Sequence, residues 1–290
     1  MDLAYYPGCT LKTKARGLES STVAAVAALD INLIEIERWN CCGTVYSLAD
    51  DDLVHYLAPV RNLIRAKQQG FSRLVTLCSF CYNTLKRANL LMQNDKEKRK
   101  TVSDFLDEGV DYNGEVEPVH LLEIFKNDVG WGNITRRLKI PLKGLKIAPY
   151  YGCALLRPRE ASIDDVEKPT IFQEFIGSLG AEVINFPFAN ECCGSFQIVG
   201  NSDFVRRQSR EIMSSALRKG SEAVVVTCPL CEFNLSRTQS ELELISASQK
   251  IPIFYFSQLL AFSLGLDLNV CHFELSSGDP LTLLKSKQLI

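Results

Sequence analysis

The sequence predicts an α/β fold made of two similar halves, each a mainly parallel β-sheet flanked by helices. Short apolar runs typical of strands alternate with longer segments in which apolar residues recur at helical spacing. A set of five cysteines also occurs twice in the same order: a single cysteine, an adjacent pair before glycine, and a C-x-x-C motif. We therefore expect two pseudo-symmetric domains, residues 1–140 and 141–290.

The composition is that of a globular protein with a full core. The chain has 290 residues, of which 46% are hydrophobic and 23% charged, and its net charge is -2. This balance provides no excess of Lys and Arg for phosphate contacts, so nucleic acid is not an expected partner. The sequence has no leader of secretory type and no apolar run long enough to span a bilayer, which predicts a cytoplasmic protein without a membrane span.

The first half begins with a β-prone run that ends at Pro7-Gly8-Cys9, so the first cysteine is expected in the loop after a strand. Gly70 follows an amphipathic segment in the position that helix ends favour, and the next apolar run leads directly to Cys78. The C-x-x-C motif is therefore expected to open a helix. The predicted elements are strand 3–6, helix 17–29, strand 32–36, helix 54–69, strand 73–77, helix 82–92, a solvated charged helical segment 94–100, strand 116–120 and helix 121–128.

The second half repeats this plan. Tyr150-Tyr151-Gly152-Cys153 matches Tyr5-Tyr6-Pro7-Gly8-Cys9 with the proline missing, and the tail from Ser276 is expected to be loosely ordered. Parallel sheets carry their sites at the carboxyl ends of their strands, where both cysteine sets are predicted to lie. The predicted elements are strand 145–151, helix 170–179, strand 182–186, helix 203–218, strand 223–227, strand 253–256 and helix 257–265.

A C-x-x-C motif at a helix start lies near free backbone amides and the positive helix end, which lowers the thiol pKa. Taken alone, the motif fits a thioredoxin-like dithiol, half of a zinc site or part of an iron–sulfur site. A disulfide scaffold is typical of small secreted domains and does not fit a chain of this length. The motif therefore predicts thiolate chemistry but does not distinguish between a redox dithiol, a zinc site and an iron–sulfur site.

The adjacent cysteine pairs discriminate better between these sites. Neighbouring cysteines point in different directions, so a set of five sulfurs fits one tetrahedral zinc ion poorly and a polynuclear cluster well. The compact C-x-x-C-x-x-C run typical of cube-type clusters is absent from the sequence. Gly43 and Gly194 are expected to permit a positive φ or a close backbone approach after each pair. A zinc-stabilised structural module stays open as a non-enzymatic alternative.

The arrangement Cys9…Cys41-Cys42-Gly43…Cys78-x-x-Cys81, with its repeat, resembles the duplicated cysteine-rich CCG domain found in the B-type subunit of heterodisulfide reductase. The resemblance extends over nearly the whole chain, including the YYPGC, WNCCG and CPLC segments. It implies two noncubane 4Fe-4S clusters that face each other across the domain interface. The ligands so implied are Cys9, Cys41, Cys42, Cys78 and Cys81 for the first cluster and Cys153, Cys192, Cys193, Cys228 and Cys231 for the second.

The resemblance also implies a function. In that family a disulfide, such as that of coenzyme M with coenzyme B, is reduced to two thiols between the clusters. It implies two heterodisulfide reductase-like partners, a C-type subunit with cube-type clusters and an A-type subunit that contains flavin. The chain itself lacks a G-x-G-x-x-G flavin fingerprint. The alternative is an electron-transfer or sulfur-carrier-processing subunit of a sulfur-oxidising relative.

Basic residues follow the first cysteine of each set and could attract an anionic thiol or offset cluster charge. The alternative is ordinary surface charge. These candidates for substrate binding or electrostatics are Lys12, Lys14, Arg16, Arg157 and Arg159.

Three histidines are candidate proton donors, because imidazole titrates near neutrality and a released thiolate needs a proton. His120 is favoured over His55 and His272 because it ends a predicted strand, although a structural histidine is the simpler interpretation. Cys271 lies outside both sets and is interpreted as a packed thiol, with a metal site beside His272 as the alternative.

Overall fold

The computed structural model of the protein describes residues 1–44, 52–241 and 250–290. Within these ranges the chain forms two four-stranded sheets in which every strand pair is parallel. The strands are β1 (Asp2–Tyr5), β2 (Asn32–Glu35), β3 (Arg73–Thr76), β4 (Glu117–His120), β5 (Lys146–Pro149), β6 (Glu182–Val183), β7 (Ala223–Val226) and β8 (Ile253–Tyr255). Their order is β2-β1-β3-β4 in one sheet and β6-β5-β7-β8 in the other, so the predicted fold class is confirmed.

Helices connect the strands in both halves. The α-helices are α1 (Arg16–Ala27), α2 (Val54–Gln68), α3 (Ser79–Asn94), α4 (Lys96–Leu106), α5 (Leu121–Ile124), α6 (Trp131–Arg137), α7 (Ile171–Ser178), α8 (Ser202–Arg218), α9 (Pro229–Glu241), α10 (Phe256–Ser263) and α11 (Pro280–Ser286). Helix α1 leads from β1 outward to β2, whereas α2 leads back over β1 to β3. Because such crossovers are right-handed, α1 and α2 lie on opposite faces of the sheet.

Helices of the two halves pack against each other. Helix α1 packs against α10 of the second half, and α7 packs against α5 and α6 of the first. The hydroxyl oxygens of Ser21 and Ser257 lie 2.7 Å apart in the first of these contacts. In the second, the rings of Phe125 and Phe175 stack at 6.0 Å, and Phe256 meets Phe175 edge-on at 5.9 Å. The two sheets therefore share one hydrophobic core.

Two predicted segments differ from the structure. The predicted strand 182–186 is reduced to Glu182–Val183, an edge strand that pairs with β5 alone. The prediction of a loosely ordered tail from Ser276 is wrong, because α11 begins at Pro280, is capped by the Asp279 side chain and buries Leu284 completely. No helix in the described part of the chain is both long and apolar enough to cross a bilayer.

Candidate metal centre

The single cysteine of each set meets the first cysteine of the adjacent pair. Cys9 follows β1 and Cys153 follows β5, each in the loop at the carboxyl end of its strand. The Sγ atoms of Cys9 and Cys41 lie 3.5 Å apart, and the same separation joins the Sγ atoms of Cys153 and Cys192. Two loops distant in sequence thus bring their sulfurs together in both halves.

The second cysteine of each pair turns toward the C-x-x-C motif. Cys42 Sγ lies 3.6 Å from Cys81 Sγ, and Cys193 Sγ lies 3.5 Å from Cys231 Sγ. All four side chains are buried. The adjacent cysteines therefore meet different partners in both sets, as the sequence predicted. In the first set the thiols of Cys41 and Cys42 also interact with each other, which raises the pKa of Cys41 and lowers that of Cys42.

The remaining cysteine of each set lies at the junction of the two halves. Cys78 is the N-cap of α3, and Cys228 directly precedes α9. Both thiols are buried, and across the junction each shifts the pKa of the other, that of Cys78 downward and that of Cys228 upward, where burial is the larger cause. The hydroxyls of Ser79 and Thr227 are hydrogen-bonded beside them. The two cysteine centres are therefore neighbours.

Two glycines let the backbone approach a sulfur closely. Gly8 has a φ of +75°, and a Cβ atom there would lie 2.9 Å from Cys81 Sγ. Gly152 has a φ of +64°, and its Cβ would lie 3.3 Å from Cys231 Sγ. The positive φ expected after each cysteine pair is also present, at +81° for Gly43 and for Gly194.

A buried tyrosine orders the loop before each cysteine pair. The Tyr6 hydroxyl donates to the Asn40 carbonyl at 2.9 Å, and the Tyr150 hydroxyl donates to the Glu191 carbonyl at 2.7 Å. Burial, and secondarily the nearby cysteine thiolates, raise the pKa of both phenols. The sequence pattern does not predict this role, and the expected match of Tyr5-Tyr6 with Tyr150-Tyr151 is wrong. Tyr6 corresponds to Tyr150 without a gap, and Tyr151 replaces Pro7.

The environment of the second pair favours a thiolate. The hydrogen bond between the thiols of Cys193 and Cys231 lowers the pKa of Cys193 to about 6 against the opposing effect of burial. The Asn234 amide nitrogen also donates to Cys193 Sγ at 3.4 Å, and the Gly194 N–H lies 3.3 Å from Cys192 Sγ. Hydrogen bonds to the charged form of a thiol stabilise it and prepare the sulfur to bind a metal.

The basic candidates do not form a symmetric lining. Lys12 Nζ lies 2.6 Å from a carboxylate oxygen of Glu19 and 2.6 Å from one of Glu35, so its charge is paired. It lines an open groove of about 650 Å³, as Arg16 does. Arg157 donates to the Asn190 carbonyl at 2.8 Å.

The other two basic candidates are exposed. Arg159 begins an exposed 3₁₀ turn. Lys14 lines a small cavity together with Glu232 of the second half.

His120 is buried and both of its ring nitrogens face backbone groups. Nε2 lies 3.0 Å from the Leu77 carbonyl, and Nδ1 accepts from the Leu122 N–H at 3.3 Å. Burial lowers the pKa of His120 to about 4. The ring therefore caps α5 and has no proton to donate without losing a hydrogen bond. His272 pairs instead with Glu274 at 2.8 Å.

Two further candidates are His55 and Cys271. His55 lies near the start of α2, and its carbonyl oxygen would be 4.0 Å from a Cβ on Gly43, the residue after the first cysteine pair. Cys271 is fully buried and its thiol lies 3.7 Å from the Gln258 carbonyl, while burial raises its pKa to about 12. It has the surroundings of a packed thiol.

None of the eleven cysteines forms a disulfide. In the described ranges, no three His, Cys, Asp or Glu side chains are arranged to hold a single metal ion. The sulfurs meet as pairs spread over two neighbouring centres. A donor set of ten cysteine sulfurs without any imidazole or carboxylate is suited to iron–sulfur chemistry.

Comparison with known proteins agrees with this geometry. The chain is 32% identical to the 8-methylmenaquinol:fumarate reductase membrane anchor subunit of Wolinella succinogenes, over 91% of this chain and 93% of that protein. It is 26% identical to the B-type subunit of the ferredoxin:CoB-CoM heterodisulfide reductase of Methanosarcina mazei, over 91% of this chain and 89% of that protein.

A solved structure shares the fold. The crystal structure of a hypothetical protein from Helicobacter pylori superimposes with a TM-score of 0.77 at 14% identity, over 97% of this chain. This chain spans about half, 52%, of that protein's length. The cysteine-rich domain family CCG matches residues 3–86 and again residues 147–236, which confirms the resemblance predicted from the cysteine pattern. The chain belongs to the CCG family of cysteine-rich domains and carries the domain twice.

Proposed function

We propose that this chain is a redox subunit of a heterodisulfide reductase-like complex, which reduces a small disulfide to two thiols at two noncubane 4Fe-4S clusters. The observation that carries the proposal is the meeting of two five-cysteine centres at Cys78 and Cys228. A disulfide has two sulfurs, and its reduction consumes two electrons and two protons. Two adjacent one-electron centres match that stoichiometry. The relatives named as B-type heterodisulfide reductase subunits add support.

The residues present fit such clusters. Ten cysteines are free of disulfides, and the glycine backbones at Gly8 and Gly152 leave room beside the sulfurs. When bound, each cluster would supply one electron and a metal site for a thiolate sulfur. The chain's own contribution is to hold the ligands: Tyr6 and Tyr150 fix the loops that carry the cysteine pairs, and the starts of α3 and α9 present the C-x-x-C motifs.

The electrons must come from partners. We propose that these are a C-type subunit with cube-type clusters and an A-type subunit that contains flavin, and that the complex works in the cytoplasm. The substrate class is a small disulfide such as CoM-S-S-CoB. This follows from the family resemblance and from the shared cysteine plan.

Metal analysis of protein purified without oxygen tests the proposal. We expect about four irons and matching sulfide at each centre, as a 4Fe-4S cluster requires. Turnover of CoM-S-S-CoB with reduced viologen as electron donor should then release two thiols per two electrons. Zinc without sulfide would instead identify the structural module that the sequence left open. Iron and sulfide without disulfide turnover would remove the reductase function but keep the clusters.

A second function is favoured by the relative from Wolinella succinogenes. At 32% identity over most of both chains, it supports an electron-transfer subunit of a quinol:fumarate reductase. A sulfur-carrier-processing subunit that works in the oxidative direction also keeps the clusters. Purification of the complex with its natural partners distinguishes these functions, because one partner set would couple to fumarate and another to a disulfide or a sulfur carrier.

A further inference from the structure

The two cysteine centres differ in their access to solvent. Cys9 and Cys41 are exposed, whereas their counterparts Cys153 and Cys192 are only partly exposed. The difference begins with the length of the segment after the first cysteine. Six residues separate Cys9 from α1, but a much longer segment, 154–170, separates Cys153 from α7.

The longer segment of the second half is tied to the first half. The Asn83 side chain in α3 donates to the Ala154 carbonyl at 2.8 Å and to the Arg157 carbonyl at 2.7 Å. Asn83 is fully buried, and α3 also packs on the 3₁₀ turn Arg159–Ala161. Since a buried amide nitrogen that lost both bonds would be left without a partner, these bonds hold the segment against α3.

The pseudo-equivalent position on the other side carries a different residue. Asn83 stands five residues after Cys78, and Phe233 stands five residues after Cys228. The α9 side chain that corresponds to Asn83 is therefore a phenylalanine, which cannot hydrogen-bond to the loop after Cys9. Its ring is 48% exposed. That loop satisfies its own backbone instead, with Lys14 N–H donating to the Thr10 carbonyl at 2.9 Å.

The loop after Cys9 nevertheless faces α9. Lys14 from this loop and Glu232, the neighbour of Phe233, line the same small cavity. The pseudo-symmetry places Phe233 on the side of α9 that is turned toward the loop after Cys9, and the cavity shows that Glu232 lies beside that loop. We call the exposed surface formed by Cys9, Cys41 and Phe233 the first-half mouth.

We propose that a small disulfide approaches the two centres through the first-half mouth, and that Phe233 is a specificity-determining residue there. The inference rests on the proposed disulfide reduction. An exposed aromatic ring beside a polar opening favours the apolar arm of a substrate. On the other side of the junction the Asn83 hydrogen bonds hold the 154–170 segment against α3, and Cys153 and Cys192 are less accessible than Cys9 and Cys41.

Thiol labelling tests the mouth without any turnover. Protein purified without oxygen is treated with an iron chelator together with iodoacetamide, and the alkylation of each cysteine is followed by mass spectrometry. Cys9 and Cys41 should react about tenfold faster than Cys153 and Cys192, because alkylation requires an accessible thiolate. Equal rates, or faster reaction at Cys153, would overturn the proposal whatever metal the protein holds.

Variants of α3 test the other side of the junction. Asn83→Ala should accelerate alkylation of Cys153 by about fivefold and leave Cys9 unchanged, because the 154–170 segment loses its two hydrogen bonds to α3. Asn89→Ala is the matched control, since Asn89 lies on the same helix and donates to Gly114 within the first half. If both variants accelerated the alkylation of Cys153 to the same extent, the assigned role of Asn83 would be contradicted. If Asn83→Ala does not fold, the order of alkylation in the unmodified protein still decides.

A substrate titration tests Phe233. With CoM-S-S-CoB and reduced viologen, Phe233→Ala should raise KM about fivefold to tenfold while kcat changes less than about twofold, the effect of one lost aromatic contact. Phe105→Ala, an exposed phenylalanine on α4, should leave KM unchanged. An unchanged KM in Phe233→Ala, with weaker binding of a partner protein, would assign the ring to protein docking and overturn the proposal. Wild-type protein that holds iron and sulfide but turns over no disulfide would disprove the proposed function, and the alkylation order would still test the mouth.

Discussion

Glycines without a Cβ atom allow the backbone to pack closely against sulfur atoms in both centres. We predict that Gly8→Ala costs about 2–4 kcal/mol, because its Cβ would meet Cys81 Sγ at 2.9 Å and the residue must keep a positive φ. The variant should also bind less iron at the first centre. Urea unfolding and iron analysis of protein purified without oxygen measure the two effects.

Gly70→Ala separates the strain of a positive φ from the steric clash. Gly70 has a φ of +82°, and a Cβ there would meet no atom within 4 Å. Its substitution should cost only about 1 kcal/mol, the backbone term alone. Equal losses of stability in the two variants would show that the contact with Cys81 does not matter.

At the residue scale the sequence predicted the cysteine sets but not their supports. A repeated Cys-Cys-Gly is visible without a structure because its chemistry is unusual. The role of Tyr6 and Tyr150 could not be predicted, because a tyrosine before a turn is common. Only the structure shows which carbonyl each hydroxyl binds. The only signal was that each stands two residues before a glycine followed by cysteine.

At the element scale, the two helices that follow the last strand of each sheet begin with related caps. The Glu123 side chain accepts from the His120 N–H at 2.7 Å, and Gln258 accepts from the Tyr255 N–H at 2.8 Å. Burial raises the pKa of Glu123 to about 7, with a smaller contribution from Glu117. The second half makes the same hydrogen bond with a neutral amide.

We predict that Glu123→Gln flattens the stability profile above about pH 5. Glu123 binds its proton more tightly in the folded protein, so its stabilising effect is complete below its ordinary pKa of 4.5 and is lost as pH rises through about 7. The loss amounts to roughly 1–3 kcal/mol. Urea midpoints between about pH 5 and pH 8.5 measure it.

His120, in the same cap, contributes a pH dependence of stability with the opposite sign and so serves as a control. Its pKa is lowered from 6.5 to about 4, so the stability it contributes is present above about pH 6.5 and lost as pH falls toward 4. Glu123→Gln should therefore leave the acid limb of the profile intact. A variant that still lost stability between about pH 5 and pH 7.5 would exclude Glu123 as the titrating group.

Helices whose apolar residues recur at a clear helical spacing were predictable from the sequence, whereas a helix marked only by its capping residue was not. Helices α1 and α8 follow the spacing of their apolar residues. Helix α11 is short, and its start is marked only by Asp279 before Pro280 in a polar tail. Apolar spacing also says that a helix face is buried without saying which partner covers it, so the packing of α1 on α10 could not be foreseen.

At the scale of the whole molecule, the shared core predicts that the two halves unfold together. Phe256 lies in α10 and its ring meets both Phe125 and Phe175. Phe256→Ala should cost about 3–5 kcal/mol and destabilise both sheets. Calorimetry should show one transition, and hydrogen exchange should report equal loss of protection in β3 and β7.

Phe105→Ala is the matched control for that loss. Its ring is 69% exposed on α4, so the substitution should change stability by no more than about 0.5 kcal/mol. Two separate transitions in the Phe256 variant, with only β7 affected, would mean that the halves are independent domains.

The packing of helices between the halves has an evolutionary consequence. A single copy of this domain would expose the helix faces that the other copy now covers, so a one-domain ancestor would have needed to pair with itself. In such a homodimer every mutation appears twice. Fusion into one chain released that constraint, and positions that symmetry once kept identical could diverge. Asn83 now corresponds to Phe233, Tyr82 to Glu232 and His120 to Tyr255.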